Sequence, residues 1–181
     1  MKNPFLIGER IYLRPLERED VPQLQTYIND PEVTRTLTAY RPINRAQEEA
    51  FIERIGKNEN EVCAGIALRH DDKLIGCVGL HQFDFKNRTA SFGLGIGAKE
   101  EWDKGYGTEA TRLIVRYGFE TLNLNRIALR VYAYNPRAIR TYEKAGFKME
   151  GVLRQDCYRD GRYWDTHIMG ILREEWNAIE R

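Results

Sequence analysis

Short apolar stretches alternate with polar segments that contain turn residues along the first half of the chain. Asn44 followed by Gln47 forms a capping box, which marks the start of a helix. The polar segments 70–73 and 86–88 separate three apolar runs and predict an antiparallel meander. The elements predicted here are a strand at 11–14, helices at 18–29 and 45–56, and strands at 62–68, 74–80 and 90–97.

The apolar spacing changes to a helical period from Tyr106 onward. Ala110, Leu113 and Ile114 then recur on one face, which predicts an amphipathic helix. The apolar run at 127–131 predicts a further strand after this helix.

The last third of the chain contains clear start and stop signals. Asn135-Pro136 supplies a helix start, and Gly146 supplies its end. Asp160-Gly161 joins two closing strands in a hairpin. The element order is therefore βααβββαβαββ, which predicts a mixed α/β fold of the α+β kind. No linker, charge block or repeat divides the sequence, so we expect one domain over 1–181.

The composition is that of a globular protein, with 42% hydrophobic and 30% charged residues. Lys and Arg number 28 and Asp and Glu 27, so bulk charge gives no support for nucleic-acid binding. No apolar run reaches the roughly 18 residues of a membrane span, and Phe5-Leu6-Ile7 is too short for a signal-peptide core. We expect a cytoplasmic protein with neither a nucleic-acid nor a membrane partner. Nothing in the pattern indicates an oligomeric state.

Three cysteines, Cys63, Cys77 and Cys157, are scattered along the chain. They form no Cys-x-x-Cys pair and have no histidine at metal-ligand spacing, so we expect no metal site. Without an export signal, they are expected to be reduced and buried or half-buried.

The most informative segment runs from Ile96 to Ala110. Gly105 and Gly107 lie one residue apart between a predicted strand and a predicted helix. Glycine allows a ligand to approach the backbone closely, and the free amides of a helix start attract an anion. The segment lacks both the P-loop pattern and the dinucleotide-binding pattern. A phosphate site and an ordinary tight turn are both compatible with it.

A second segment, from Asn135 to Phe147, predicts a short helix with Asn135, Ala138 and Tyr142 on one face. By periodicity alone, Asn135 caps this helix and Tyr142 packs against the core.

Together, the segments Trp-x-Lys-Gly-Tyr-Gly-Thr-Glu-Ala and Asn-x-x-Ala-x-x-x-Tyr-Glu-Lys-x-Gly-Phe resemble the GNAT superfamily of acyl-CoA N-acyltransferases. The resemblance extends over essentially the whole chain. It is strongest to the ribosomal-protein N-terminal acetyltransferase group (RimJ/RimL type), which also contains polyamine and antibiotic acetyltransferases. It implies the GNAT fold, a mostly antiparallel central sheet with flanking helices, and acetyl-CoA as co-substrate without a metal.

The resemblance also implies roles for particular residues. Tyr142 would protonate the departing thiolate, and Asn135 would reach the pantetheine or the start of the last helix. The strand residues Leu94, Gly95 and Ile96 would line the pantetheine arm, and one of their amides would polarise the thioester carbonyl. The pyrophosphate would lie in the loop formed by Trp102, Asp103, Lys104, Gly105, Tyr106, Gly107 and Thr108.

The sequence names no general base. Many relatives have a glutamate near the start of the central strand, where this chain has Ser91. The candidates by residue type are Asp84, His81, Asp156 and Asp165, and each has an ordinary structural interpretation as well. Among these four, His81 is favoured because an imidazole titrates in the right range.

Two more groups of side chains are candidates for ligand contacts, although solvated surface explains them equally well. One group, in the linker that would border the acceptor site, is Arg35, Tyr40 and Arg41. The other, where the CoA 3′-phosphate would pass, is Arg137, Arg140 and Lys144.

We therefore expect an acetyl-CoA-dependent N-acetyltransferase that transfers acetyl directly to a primary amine. A protein or peptide N-terminal α-amine is the favoured acceptor, and a small molecule of the polyamine or aminoglycoside type is the alternative. A non-catalytic acyl-CoA-binding module on the same fold is a second class of function. The presence of Tyr142, Gly105 and Gly107 argues against that class.

Overall fold

The computed structural model describes residues 1–179. The strands of this part are β1 Leu6–Ile7, β2 Ile11–Arg14, β3 Glu61–Leu68, β4 Leu74–Asp84, β5 Thr89–Ile96, β6 Arg126–Tyr132, β7 Lys148–Arg159 and β8 Arg162–Leu172. The helices are α1 Val21–Asn29, α2 Pro31–Thr34, α3 Arg45–Lys57, α4 Tyr106–Glu120, α5 Pro136–Lys144 and α6 Arg173–Ile179.

All of these strands lie in one sheet, in the order β1-β2-β3-β4-β5-β6-β8-β7. Neighbouring strands are antiparallel except for β5 and β6, which are parallel. The predicted meander and closing hairpin are both present. At the hairpin turn, Asp160 and Gly161 have φ values of 53° and 79°. This left-handed backbone matches the twist of the two strands that it joins.

The parallel pairing between β5 and β6 is short. It joins Thr89–Ser91 to Arg126–Ala128 and has no further register in the described part of the chain. β5 nevertheless continues to Ile96 and β6 to Tyr132. The two strands therefore open into a wedge, whose walls present backbone N–H and C=O groups that no neighbouring strand takes up.

Helices cover both faces of the sheet. On one face, α4 buries Ala110 and Ile114 against strand residues such as Leu80. On the other face, α1 and α3 contribute Leu24 and Ile52 to a second apolar cluster. No helix among residues 1–179 is both long and apolar enough to cross a membrane.

Three elements lie outside the predicted order, although every predicted element is present. β1 and α2 have two and four residues, too few for a period to show in the sequence. The expectation that the chain ends with two strands was wrong, because α6 follows β8 directly. Its start is held by the Glu175 carboxylate, which accepts a hydrogen bond of 2.9 Å from the Leu172 amide.

A buried ion pair fixes the turn from β2 into α1. Two guanidinium nitrogens of Arg14 donate to the two carboxylate oxygens of Asp20 at 2.7 Å each. Burial would raise the pKa of Asp20, but hydrogen bonds from Arg14 and from the Glu17 amide hold it below its usual value. The pair thus sets the direction in which α1 leaves the sheet.

Asp20→Asn is expected to lower the free energy of unfolding by about 3–5 kcal/mol, because it leaves the Arg14 guanidinium buried without a counter-charge. Urea unfolding at neutral pH measures the loss. The folded-state pKa of Asp20 lies below its unfolded value. The difference between wild type and variant should therefore shrink as the pH falls through that folded pKa.

Glu49→Gln is the matched control, since Glu49 pairs with Arg45 on the exposed surface of α3. It should cost less than about 1 kcal/mol. Equal losses in the two variants would contradict the role given to the buried pair.

Candidate active site

An open cleft of ≈ 1650 Å³ occupies the wedge between β5 and β6 and extends to α3 and to the β7–β8 hairpin. Every residue that the sequence predicts for catalysis or cofactor binding lines it, except Lys104. The ammonium of Lys104 lies 2.9 Å from the Glu101 carboxylate. The other predicted residues, all at the cleft wall, are Leu94, Gly95, Ile96, Trp102, Asp103, Gly105, Tyr106, Gly107, Thr108, Asn135 and Tyr142.

The N-terminus of α4 directs free amides into the cleft. Gly105 is the N-cap residue and has φ 86°, a left-handed conformation that glycine adopts without strain. No side chain caps this helix, and the amides of Tyr106, Gly107 and Thr108 make no backbone hydrogen bond to residues 1–179. The positive end of a 15-residue helix lies behind these donors. This arrangement suits an anionic group such as a pyrophosphate.

Arg10, just before β2, holds the loop from behind. Its Nη1 donates to the Lys104 carbonyl at 2.8 Å, and its Nε donates to the Glu109 carboxylate at 3.1 Å. The guanidinium also lies 4.9 Å from the centre of the Tyr106 ring. Sequence reasoning missed Arg10 because it is 99 residues from Glu109 along the chain, and no local pattern connects the two.

Trp102 attaches the same loop to β5 and to α5. Its indole N–H donates to the Ile96 carbonyl at 2.8 Å. The Arg137 guanidinium lies over the indole, 3.6 Å from the ring centre. Burial lowers the pKa of Arg137, whereas the charge of Asp103 raises it. The loop before α4 is therefore fixed relative to the open edge of β5.

Tyr142 and Asn135 lie on α5. Tyr142 is 7% exposed, and its ring packs edge-to-face on Phe92, with ring centres 5.6 Å apart. Burial raises the pKa of Tyr142 far above its usual value, so the hydroxyl keeps its proton at neutral pH. Asn135 Oδ1 accepts from the Ala138 amide at 3.1 Å, which confirms its predicted capping role. A contact of Asn135 with the cofactor stays a prediction.

Two of the four candidate bases have structural roles. Asp84 accepts hydrogen bonds from the amide and side chain of Asn87 at 2.8 and 2.7 Å, and these bonds lower its pKa. Asp165 accepts from the Gln155 amide at 2.9 Å. Neither carboxylate lines the cleft.

The other two candidates, His81 and Asp156, do line the cleft. Asp156 is paired with Arg130 of β6. Burial lowers the pKa of His81, so its imidazole is neutral at pH 7. Ser91, where relatives often have glutamate, also lines the cleft and donates its hydroxyl to the Gln82 side chain at 2.8 Å.

The far end of the cleft is the part formed by α3, β3, β4 and the β7–β8 hairpin. Each of its carboxylates is paired with an arginine, and Arg159 of β7 lines it as well, so this end offers no unpaired carboxylate. The pairs are Glu61 with Arg54, Asp156 with Arg130, and Asp160 with Arg35.

The predicted linker residues take different positions. Tyr40 lines the far end of the cleft and is 76% exposed, with the Arg41 guanidinium 5.2 Å from its ring centre. Arg35 instead holds the linker to the hairpin through Asp160, at 2.6 Å. The predicted basic residues of α5 all line the cleft, namely Arg137, Arg140 and Lys144.

Comparison with known proteins identifies the class. Residues 10–148 match the family described as "Acetyltransferase (GNAT) domain". "Uncharacterized N-acetyltransferase p20" of Bacillus licheniformis is 33% identical over 176 residues, 94% of this chain and 97% of its own. "Putative ribosomal N-acetyltransferase YdaF" of Bacillus subtilis (strain 168) is 30% identical over 177 residues, 95% of this chain and 96% of its own. The structure of spermidine N-acetyltransferase from Vibrio cholerae in complex with CoA and spermine has a TM-score of 0.87 at 28% identity, covering 94% of this chain and 99% of that one.

The chain therefore belongs to the GNAT acetyltransferase family. It is an N-acetyltransferase that uses acetyl-CoA, and the predictions of fold, enzyme class and co-substrate are confirmed. Within residues 1–179, no group of three or more His, Cys, Asp or Glu side chains could hold a metal ion. Relatives are named both for ribosomal and for spermidine acetylation, so family membership alone leaves the acceptor open.

Gly105→Ala is expected to weaken acetyl-CoA binding about tenfold, since the left-handed backbone is strained by roughly 1–3 kcal/mol when the residue has a side chain. The added Cβ would also lie 3.2 Å from the Arg10 guanidinium, so that side chain, which holds the loop, must give way by a few tenths of an ångström. Isothermal titration measures the dissociation constant.

Gly56→Ala is the control, because a Cβ at this α3 position meets nothing within 4 Å. Its affinity for acetyl-CoA should equal that of the wild type. Wild-type affinity in the Gly105 variant would rule out the loop as the pyrophosphate site.

Proposed function

We propose that this N-acetyltransferase acts in the cytoplasm on the N-terminal α-amine of a protein or peptide. This proposal is carried by the ion pairs at the far end of the cleft, where every carboxylate is paired with an arginine of this chain. A peptide brings a single ammonium group, at the reacting nitrogen, and otherwise neutral backbone amides. A polycation brings further ammonium groups, which need unpaired carboxylates when they leave water.

Neutral hydrogen-bonding side chains at the far end support a peptide backbone as ligand. Asn58, Asn60 and Tyr40 line this region. Their amide and hydroxyl groups both donate and accept hydrogen bonds, as peptide groups do. The Asn58 amide nitrogen already donates to the Glu61 carboxylate at 2.8 Å, so this carboxylate has a second partner besides Arg54.

A polyamine acceptor is the second candidate. Similarity in structure to the spermidine N-acetyltransferase from Vibrio cholerae favours it. For this chain, such an acceptor has to displace an arginine from Glu61, Asp156 or Asp160 in order to gain a counter-charge.

Different residues of the cleft have different roles in acetyl transfer. The amides at the start of α4 bind the pyrophosphate, and the open edge of β5 at Leu94–Ile96 binds the pantetheine arm as a neighbouring strand would. A fixed amide on this edge stabilises the oxyanion that forms when the amine attacks the thioester carbonyl. Tyr142 then donates its proton to the departing thiolate. Holding both reactants in one cleft removes the entropic cost of their encounter.

Short peptides with a free α-amine should be acetylated with a kcat/KM about tenfold or more above that of spermidine, because an unmatched buried ammonium costs at least roughly 1–2 kcal/mol. Release of free thiol from acetyl-CoA measures the rate, and the same peptides with blocked N-termini are the control. A preference for spermidine would overturn the peptide proposal in favour of the polyamine. A wild-type protein that binds acetyl-CoA and acetylates no amine would instead be a binding module.

Tyr142→Phe should lower kcat by roughly 10²–10⁴, the usual contribution of a positioned proton donor. The rise in melting temperature caused by acetyl-CoA should be unchanged, because the ring still fills its place. Tyr117→Phe on α4 is the control, since burial also raises the pKa of this tyrosine and it lies outside the cleft. If the Tyr142 variant kept its wild-type kcat, the proton-donor role would be excluded.

A further inference from the structure

The acceptor amine needs a proton acceptor in the cleft. At neutral pH an amine is mostly an ammonium ion, which attacks a carbonyl only after it loses a proton. The carboxylates that line the cleft are already engaged: Glu101 with Lys73 and Lys104, and those of the far end with arginines. Asp103 lies at the anion-binding loop, where its charge acts on Arg137.

We infer that His81 takes the proton from the acceptor amine. This inference rests on the proposed function, because it needs an amine bound at the far end of the cleft. His81 lies on β4, directly opposite Glu61 on β3 and Ser91 on β5. Directly opposed residues of antiparallel strands share a face, so the imidazole and the Ser91 hydroxyl lie side by side in the cleft.

The position of the imidazole places it beside the reacting edge of β5. Its Cε1 is 3.2 Å from the point where a Cβ of residue 93 would lie, so the ring covers the bare backbone of Gly93. Leu94, the next residue, begins the edge that would hold the thioester. An amine that enters from the far end therefore passes the imidazole before it reaches the acetyl group.

The surroundings of His81 keep the ring available as a base. Burial lowers the pKa of His81, the charge of Glu61 on β3 raises it, and the charge of Arg54 on α3 lowers it. Glu61 and Arg54 are paired with each other, so their effects oppose and burial sets the direction. Ser91 on β5 is uncharged. The ring makes no hydrogen bond to residues 1–179, and its unprotonated nitrogen keeps a free lone pair.

The protons balance in this scheme. His81 takes one proton from the ammonium ion, and the freed nitrogen lone pair forms the C–N bond with the thioester carbonyl carbon. The C–S bond breaks as the sulfur takes the proton of Tyr142. A second proton leaves the nitrogen and restores Tyr142 through solvent, and the His81 imidazolium releases its own proton to solvent. The products are an amide, a free thiol and one proton.

The acidity of the acceptor fits this base. An α-ammonium group has a pKa of about 7.7–8.0, whereas an alkyl ammonium such as that of lysine has about 10.4. The pKa of His81 lies below its usual value, so the difference between it and the pKa of the acceptor is smaller for an α-ammonium than for an alkyl ammonium. Proton transfer to His81 is therefore easier from the α-ammonium.

His81→Gln tests the inference, with His70→Gln as control, since His70 has a 68% exposed side chain in the turn between β3 and β4. The kcat of the His81 variant should be lower by a factor of roughly 10²–10⁴, and acetyl-CoA should still raise its melting temperature as in the wild type.

The pH dependence of kcat gives a second measurement. In the wild type, kcat should fall as the pH drops through the pKa of His81, and this fall at acidic pH, the acid limb of the profile, should vanish in the variant. Added imidazole should restore part of the rate to His81→Ala.

A His81→Gln enzyme with wild-type kcat across the pH range would overturn the inference. So would a loss of rate in which the acid limb persists and imidazole gives no rescue, because the histidine would then act only through packing. A wild-type protein that binds acetyl-CoA but acetylates no amine would overturn the proposed function itself, and the inference with it.

Discussion

The structure of the site depends on one interrupted interaction, the backbone ladder between β5 and β6. Backbone N–H and C=O groups away from water need partners, and a continued ladder would have supplied them along the rest of both strands. Because the register stops at Ser91 and Ala128, the inner edge of β5 is left for a ligand that pairs as a strand does. The start of α4 offers free amides at the mouth of the same wedge. An extended ligand with an anionic end meets both sets of donors at once.

Arginines at the two ends of β2 connect this strand to the elements on both sides of the cleft. Arg10, just before β2, binds the loop before α4 and the Glu109 carboxylate, and so fixes the end of the cleft with the free α4 amides. Arg14, at the other end of β2, binds Asp20 and so fixes α1, which packs with α3 over the opposite face. The two contacts differ in exposure, since Arg14 is buried and the side chain of Arg10 is 47% exposed. We therefore expect α1, held by the buried Arg14–Asp20 pair, to be more rigid than the loop before α4, held by the exposed Arg10.

Local signals in the sequence were sufficient for most of the fold. The capping box at Asn44 and Gln47, the cap at Asn135 and the Asp160-Gly161 turn each act within a few residues, and all are present in the structure. The contacts between distant segments were not predictable, because a single sequence contains no mark of which side chains meet. The pairing of Arg10 with Glu109 and that of Glu61 with Arg54 both belong to this group.

Lys104 shows that a sequence motif does not predict the contacts of each of its side chains. It belongs to a motif that resembles the family pattern, but a motif specifies which residues occupy a loop and not which way their side chains point. In the structure the backbone carbonyl of Lys104 accepts from Arg10, and its ammonium pairs with Glu101. Its carbonyl and its ammonium are thus both engaged within the protein, and the free donors at the start of α4 are backbone amides that residue type alone does not reveal.

Burial in the cleft affects Tyr142 and His81 in complementary ways. Removing water disfavours the charged form of any group, so it raises the pKa of the tyrosine and lowers that of the histidine. At neutral pH, the same low-dielectric surroundings thus keep the Tyr142 phenol protonated and the His81 imidazole unprotonated. An acid and a base of this kind require no charged residue in the cleft, which accords with carboxylates that are already engaged in ion pairs. Exclusion of water by the bound reactants would strengthen both effects, so the proposed proton donor and proton acceptor would each hold the required protonation state more firmly as the cleft fills.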